Sequence, residues 1–221
     1  MGKVIGILGG MGPEATADLF LRIIKATPAE ADQDHFRTII DSNPAIPDRT
    51  NAIIGNGEDP VPEMLKVIKN LEKTDVDFII IPCNTAYYFI YSLEENTHIP
   101  ILNMIRLSAI RASSNENDIK KAALLATDGT LKSKIYHREF SKMDIRIIIP
   151  DEGNQKDVMK AIYEYIKAGK LEKGRETLQR IAKELDKRGA DMVICGCTEV
   201  SLVLKEGDID IPVLDPLQIL A

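Results

Sequence analysis

The chain has 221 residues, of which 44% are hydrophobic and 28% charged, the balance of an ordinary soluble globular protein. Its 28 Lys and Arg against 34 Asp and Glu leave a formal charge of -6, which argues against a nucleic-acid partner because phosphate binding needs clustered surplus cations. No apolar run approaches the roughly 18 residues that cross a bilayer, so no membrane partner is expected and a small-molecule substrate is the better prior.

The first apolar run, residues 4–8, is short and bounded by glycine and lacks a small-residue cleavage site. It reads as a buried strand and not as a signal peptide, so a cytoplasmic location is expected. Further β-branched runs follow at 38–40, 78–81, 99–102, 122–126, 145–149, 192–195 and 211–214. They are continuous rather than alternating, as in strands covered on both faces. Between them, stretches 15–26, 61–73, 156–168 and 174–188 carry apolar residues at helical spacing. This alternation predicts an α/β fold with parallel sheets built from strand–helix–strand units.

An internal repeat refines the prediction. Residues 69–85, ending in Ile81-Pro82-Cys83-Asn84-Thr85, align without a gap on residues 183–199, ending in Cys195-Gly196-Cys197-Thr198-Glu199, at a shift of 114 residues. Each copy is a helix, a turn and a strand that runs into a cysteine. A second match sets Ile99-Pro100-Ile101-Leu102 against Ile211-Pro212-Val213-Leu214. One duplication of about half the chain implies two pseudo-symmetric lobes, each a parallel sheet flanked by helices, with the active site in the cleft between them. The expected boundaries are 1–102 for the first lobe, completed by the C-terminal tail 208–221, and 103–207 for the second.

In open parallel sheets ligands bind beyond the carboxyl ends of the strands. Cys83 and Cys197 both fall there, each followed by a polar pair, Asn84-Thr85 and Thr198-Glu199, that reads as a helix start. The positive end of a helix favours a thiolate, so both sulfurs are expected to lean towards ionisation. Cys195 aligns with the core strand position Ile81 and reads as buried filler. Two cysteines at equivalent strand tips suit a reaction in which one group removes a proton from one face of a carbon while the other delivers a proton to the opposite face. An ordinary cysteine titrates near about 8.5, close enough to neutrality for one to be ionised and one protonated.

Gly9-Gly10-Met11-Gly12 follows the first strand but lacks the spacing of a dinucleotide loop, and its glycines read as letting the backbone approach a small substrate. Thr127 and Thr130 occupy the matching strand end of the second lobe, as carboxylate donors or as turn and cap residues. His35, His98 and His137 are widely separated and none is near Cys195 and Cys197, so no metal is expected.

Several motifs, in order, resemble those of the aspartate/glutamate racemase family: Gly6-Ile7-Leu8-Gly9-Gly10-Met11-Gly12-Pro13-Glu14-Ala15-Thr16, Ser42-Asn43-Pro44 with Pro47-Asp48-Arg49-Thr50, Pro82-Cys83-Asn84-Thr85-Ala86, Leu125-Ala126-Thr127 with Gly129-Thr130, and Gly196-Cys197-Thr198-Glu199. The opening motif is most similar to the aspartate racemase branch. The resemblance implies a cofactor-independent racemase of aspartate or glutamate, without pyridoxal phosphate, with Cys83 and Cys197 as acid and base, and a homodimer. It implies carboxylate binding by Arg49 and by Lys167, the latter in a segment, Ile162-Tyr163-Glu164-Tyr165-Ile166-Lys167, similar to the family's lysine-bearing stretch. Met11, Gly12, Asn43, Asn84, Thr85, Thr127, Thr130, Thr198 and Glu199 complete the expected substrate site. Three positions depart from the pattern: Tyr87 stands where relatives commonly have His, Ser201 where Pro is common, and Cys195 is a further variation. Alternatives are a hydantoin racemase or maleate isomerase type of enzyme, a binding protein for an acidic metabolite, and, least favoured, a thiol-redox protein.

Overall fold

The computed structural model describes residues 2–114 and 118–221. Its chain divides into two compact units, residues 1–104 with Leu220–Ala221 and residues 105–219. The fold is α/β, with a parallel sheet flanked by helices in each.

The first unit contains β1 (Ile5–Gly9), β2 (Thr38–Ser42) and β3 (Phe78–Ile80) in the order β2-β1-β3, all parallel. Its helices are α1 (Pro13–Ala26), α2 (Arg49–Ile54), α3 (Val61–Glu72) and α4 (Ile90–Glu94), with 3-10 turns at Asp32–Asp34 and Thr85–Phe89. Central β1 is buried along its whole length, as its continuous apolar run predicts. Edge strand β2 is only partly buried. The predicted strand at 99–102 reduces to a single bridge, Ile79 to Ile101, fixed by the Ile79 amide donating to the Pro100 carbonyl (2.8 Å) and the Leu102 amide to the Ile79 carbonyl (2.9 Å). In α3 the apolar residues Met64, Val67, Ile68 and Leu71 fall on one face and are buried.

The second unit opens with α5 (Met104–Ser113) and has strand order β5-β4-β6-β7, from β4 (Lys121–Leu125), β5 (Arg146–Ile148), β6 (Met192–Cys195) and β7 (Val213–Leu214). Its helices are α6 (Asp128–Ser133), α7 (Ile135–Ser141), α8 (Glu152–Lys160), α9 (Leu171–Lys187), α10 (Thr198–Val203) and α11 (Pro216–Leu220). The face of α9 bearing Leu178, Ile181, Ala182 and Leu185 packs into a core shared with Val158, Ile162 and Val193. Among the described residues no helix is long and apolar enough to cross a membrane.

Pairing of β7 with β6 corrects the expected course of the tail. The Val193 amide donates to the Pro212 carbonyl (2.9 Å), and residues 208–219 lie in the second unit instead of completing the first sheet. This bond is the counterpart of Ile79 to Pro100, so each half of the repeat closes its own sheet. The repeat also places Asp77 and Asp191 alike. Asp77 accepts from the Val4 amide (2.6 Å), Asp191 from the Lys120 and Lys121 amides (2.9 and 2.7 Å), tying the start of each unit's first strand to the next strand in its sheet.

Beyond β1 the backbone turns sharply at Gly10, whose φ of 95° is left-handed and whose missing Cβ would lie 2.4 Å from the Asn43 backbone. The Thr16 hydroxyl accepts from the Gly10 amide (2.9 Å) and donates to the Gly12 carbonyl (3.1 Å), locking the turn onto the first turn of α1. Gly10→Ala therefore combines a backbone clash with an unfavourable φ, and is expected to cost about 2–4 kcal/mol. Thermal unfolding should show this as a Tm several degrees lower; an unchanged Tm would contradict the packing described.

Candidate active site

In the first unit the predicted residues gather beyond the carboxyl ends of three adjacent parallel strands: Met11 and Gly12 after β1, Asn43 and Arg49 after β2, Cys83, Asn84 and Thr85 after β3. The Asn43 amide donates to the Gly9 carbonyl (3.3 Å), and its side-chain carbonyl accepts from the Ala45 amide (3.0 Å), so Asn43 shapes the loop that follows. Asp48 caps α2 by accepting from the Asn51 amide (2.7 Å), which sets Arg49 as the first helical residue. From there its guanidinium reaches the carbonyls of Pro47 (2.9 Å), Ile46 (3.2 Å) and Met11 (3.3 Å). Arg49 is thus a half-buried, anchored cation joining two of the three strand-end loops.

Cys83 is 6% exposed, and Asn84 and Thr85 are buried beside it. Asn84 already has helical backbone angles and leads into the Thr85–Phe89 turn. Tyr87, the departure from the family pattern, is buried with its hydroxyl donating to the Leu102 carbonyl (3.0 Å). Burial pushes its phenol above the usual tyrosine range, so it stays neutral.

In the second unit Thr127 and Thr130 follow β4, and Cys197, Thr198 and Glu199 follow β6. Thr127 caps α6 by accepting from the Thr130 amide (3.3 Å), and the two buried hydroxyls lie 3.2 Å apart; this matches their reading as turn and cap residues. Gly196 brings the end of β6 against β4, its amide donating to the Leu125 carbonyl (2.8 Å) where a Cβ would strike Leu124. Cys197, 8% exposed, is itself the cap residue of α10, and its thiol donates to a Glu199 carboxylate oxygen at 2.8 Å.

The expected drift of Cys197 towards thiolate is not what its surroundings favour. Burial pushes its thiol well up, the Glu199 carboxylate pushes it further, and Lys167 opposes the rise. A helix of six residues supplies too little positive potential to outweigh a buried sulfur facing a carboxylate. Lys167 lies 3.7 Å from Glu199 and 4.4 Å from the centre of the Tyr163 ring. It is carried there by a π-helical turn, Ala161–Ile166, in which the Lys167 amide bonds five residues back to the Ile162 carbonyl (3.1 Å). The 156–168 stretch, predicted as one amphipathic helix, is therefore α8 followed by this wider turn. Nothing in the apolar spacing announces it, and the Tyr163 contact was equally invisible. Cys195 is fully buried in the core with its thiol 3.9 Å from the Leu204 carbonyl, as its filler reading predicts.

The Asp/Glu/hydantoin racemase family model matches residues 8–221. The chain belongs to this family. A broad-specificity amino-acid racemase of Bacillus subtilis, RacX, is 29% identical over 99% of this chain and 95% of its own length. The solved aspartate racemase of Picrophilus torridus is similar with a TM-score of 0.87 and 35% identity, covering 98% of this chain and 90% of that one. A glutamate racemase of Francisella tularensis, solved with D-glutamate, shares the fold at 19% identity, with a TM-score of 0.66 and coverage of 98% of this chain and 78% of that one. As a member of the racemase family the protein is an isomerase. Each unit carries one buried thiol just beyond a strand end, Cys83 after β3 and Cys197 after β6.

Proposed function

We propose that this racemase interconverts L- and D-aspartate, with glutamate as the alternative substrate, by a cofactor-independent two-thiol mechanism. The observation that carries the proposal is the equivalence of Cys83 and Cys197, each just beyond the third strand of its unit, β3 and β6, the strands that the repeat aligns. The similarity to the Picrophilus torridus aspartate racemase favours aspartate. One sulfur, as thiolate, takes the proton from the α-carbon of the bound amino acid. The other, as thiol, returns a proton to the opposite face, and the roles exchange in the reverse direction. Arg49 and Lys167 receive the substrate carboxylates, a planar guanidinium gripping one of them through paired hydrogen bonds. Amide and side-chain donors among Met11, Gly12, Asn43, Asn84, Thr85, Thr127, Thr130 and Thr198 stabilise the negative charge that develops as the proton leaves. The enzyme is taken to act as a cytoplasmic homodimer.

A broader range of amino acids is the second reading, favoured by the similarity to RacX. Loss of optical activity, followed for L-aspartate, L-glutamate and a panel of neutral amino acids, separates the two. Aspartate is expected to racemise fastest; preference for a neutral amino acid favours the broader reading, and activity on none contradicts both. Cys195→Ala should keep most of the activity, within about threefold, since the position fills core space and costs only a small cavity. Loss of activity in a folded Cys195→Ala enzyme would overturn its assignment as filler.

A further inference from the structure

Glu199 was expected to bind substrate, yet its carboxylate is occupied from two sides. One oxygen accepts the Cys197 thiol at 2.8 Å and the Thr198 hydroxyl at 3.3 Å, while the other lies 3.7 Å from the Lys167 ammonium. Its side chain is 12% exposed and that of Lys167 39%, so the carboxylate is the more sheltered member of the pair. A largely sheltered carboxylate already holding a thiol proton and a cation is a poor receptor for an acidic amino acid, because like charges would be brought together.

We infer that Glu199 is a positioning residue which holds Cys197 as the protonated member of the thiol pair, with Lys167 set against it as the opposing charge. The inference rests on the two-thiol reading and deepens it by fixing which sulfur is the resting acid. The charged groups facing the sulfur are Glu199 from α10 and Lys167 from the end of the π-turn. In the forward step the Cys83 thiolate takes the α-proton, and the Cys197 S–H bond breaks as its proton passes to the other face of the carbon. The Cys197 thiolate then lies beside the Glu199 carboxylate, and their repulsion drives it to take a proton from water while Cys83 gives the proton it accepted to solvent, which restores the resting pair. Burial and the carboxylate both act to keep the sulfur protonated, and the lysine works against them. A substrate carboxylate that draws Lys167 away would remove the one charged group that favours the Cys197 thiolate, leaving only the Glu199 backbone amide to do so.

The test uses the full chain with Cys83→Ala and Cys195→Ala, leaving Cys197 as the remaining thiol, and follows its alkylation by iodoacetamide across pH. Below the thiol midpoint each pKa unit changes the thiolate fraction about tenfold. Glu199→Gln is expected to speed alkylation at neutral pH by about tenfold, and Glu199→Asp, which keeps the charge, to stay nearer the parent. Lys167→Gln is expected to slow it severalfold. Opposite directions identify charge as the cause, since loosened packing would expose the sulfur in both variants. Acceleration in both, or an unchanged rate in Glu199→Gln, would overturn the inference. Alkylation needs no substrate, so a parent enzyme that racemises nothing would defeat the proposed function through a separate result.

Discussion

Replacing Cys83 or Cys197 by Ala is expected to lower kcat/KM for racemisation in both directions by about 10²–10⁴, the usual contribution of a positioned acid or base, or about 3–5 kcal/mol of barrier. Each turnover in the proposed mechanism uses both sulfurs, one accepting and one donating, so neither substitution should spare one direction. The double variant should be little worse than either single one, because groups that act as a unit are not additive. Serine at either position should rescue little, since a hydroxyl does not ionise near neutral pH. Both cysteines are buried, so the accompanying change in Tm is the control that separates chemistry from folding. A folded single variant that retains full activity would contradict the assignment.

The second large effect is expected at Arg49. Its guanidinium is held by the carbonyls of Ile46, Pro47 and Met11, which fixes the plane of the fork before any substrate arrives. Hydrogen bonds involving charged groups contribute about 1.5–3 kcal/mol each. Loss of a paired grip should therefore reduce kcat/KM for aspartate about a hundredfold. Arg49→Lys keeps the charge but not the fork, and is expected to recover only part of this loss. Neutral amino acids, which lack the second carboxylate, should be affected much less. Equal losses for aspartate and neutral substrates would assign Arg49 to holding the Met11 loop, and unchanged kinetics would favour a hydantoin racemase or maleate isomerase type of chemistry.

Much of this architecture is written in the chain itself. Continuous apolar runs located β1, β4 and β6 because a strand buried on both faces has no polar side to interrupt it. The repeat carried further than its first use. It pairs Pro100 with Pro212, and in both units that carbonyl accepts the amide of the neighbouring strand, so it argued for β7 staying with β6. The expected return of the tail to the first sheet set that pairing aside. The repeat separated Cys195 from Cys197, because Cys195 aligns with the core strand residue Ile81 and Cys197 with Cys83 beyond the strand end. What the sequence could not convey depends on contacts distant along the chain. The π-turn before Lys167 keeps ordinary helical composition, and only packing against α9 and α10 reveals the extra residue. Likewise the helix start beside Cys197 is legible in the sequence, whereas the burial of its sulfur and the aim of Glu199 arise only in the folded chain.

Hydrogen exchange at the α-carbon tests the central claim most directly. Incubated in D₂O with L- and then D-aspartate, the enzyme is predicted to place deuterium on the α-carbon of both, and to lose this exchange when Cys83 and Cys197 are both replaced by Ala. No deuterium in either enantiomer, or exchange that survives removal of both thiols, would contradict proton transfer by this pair of sulfurs.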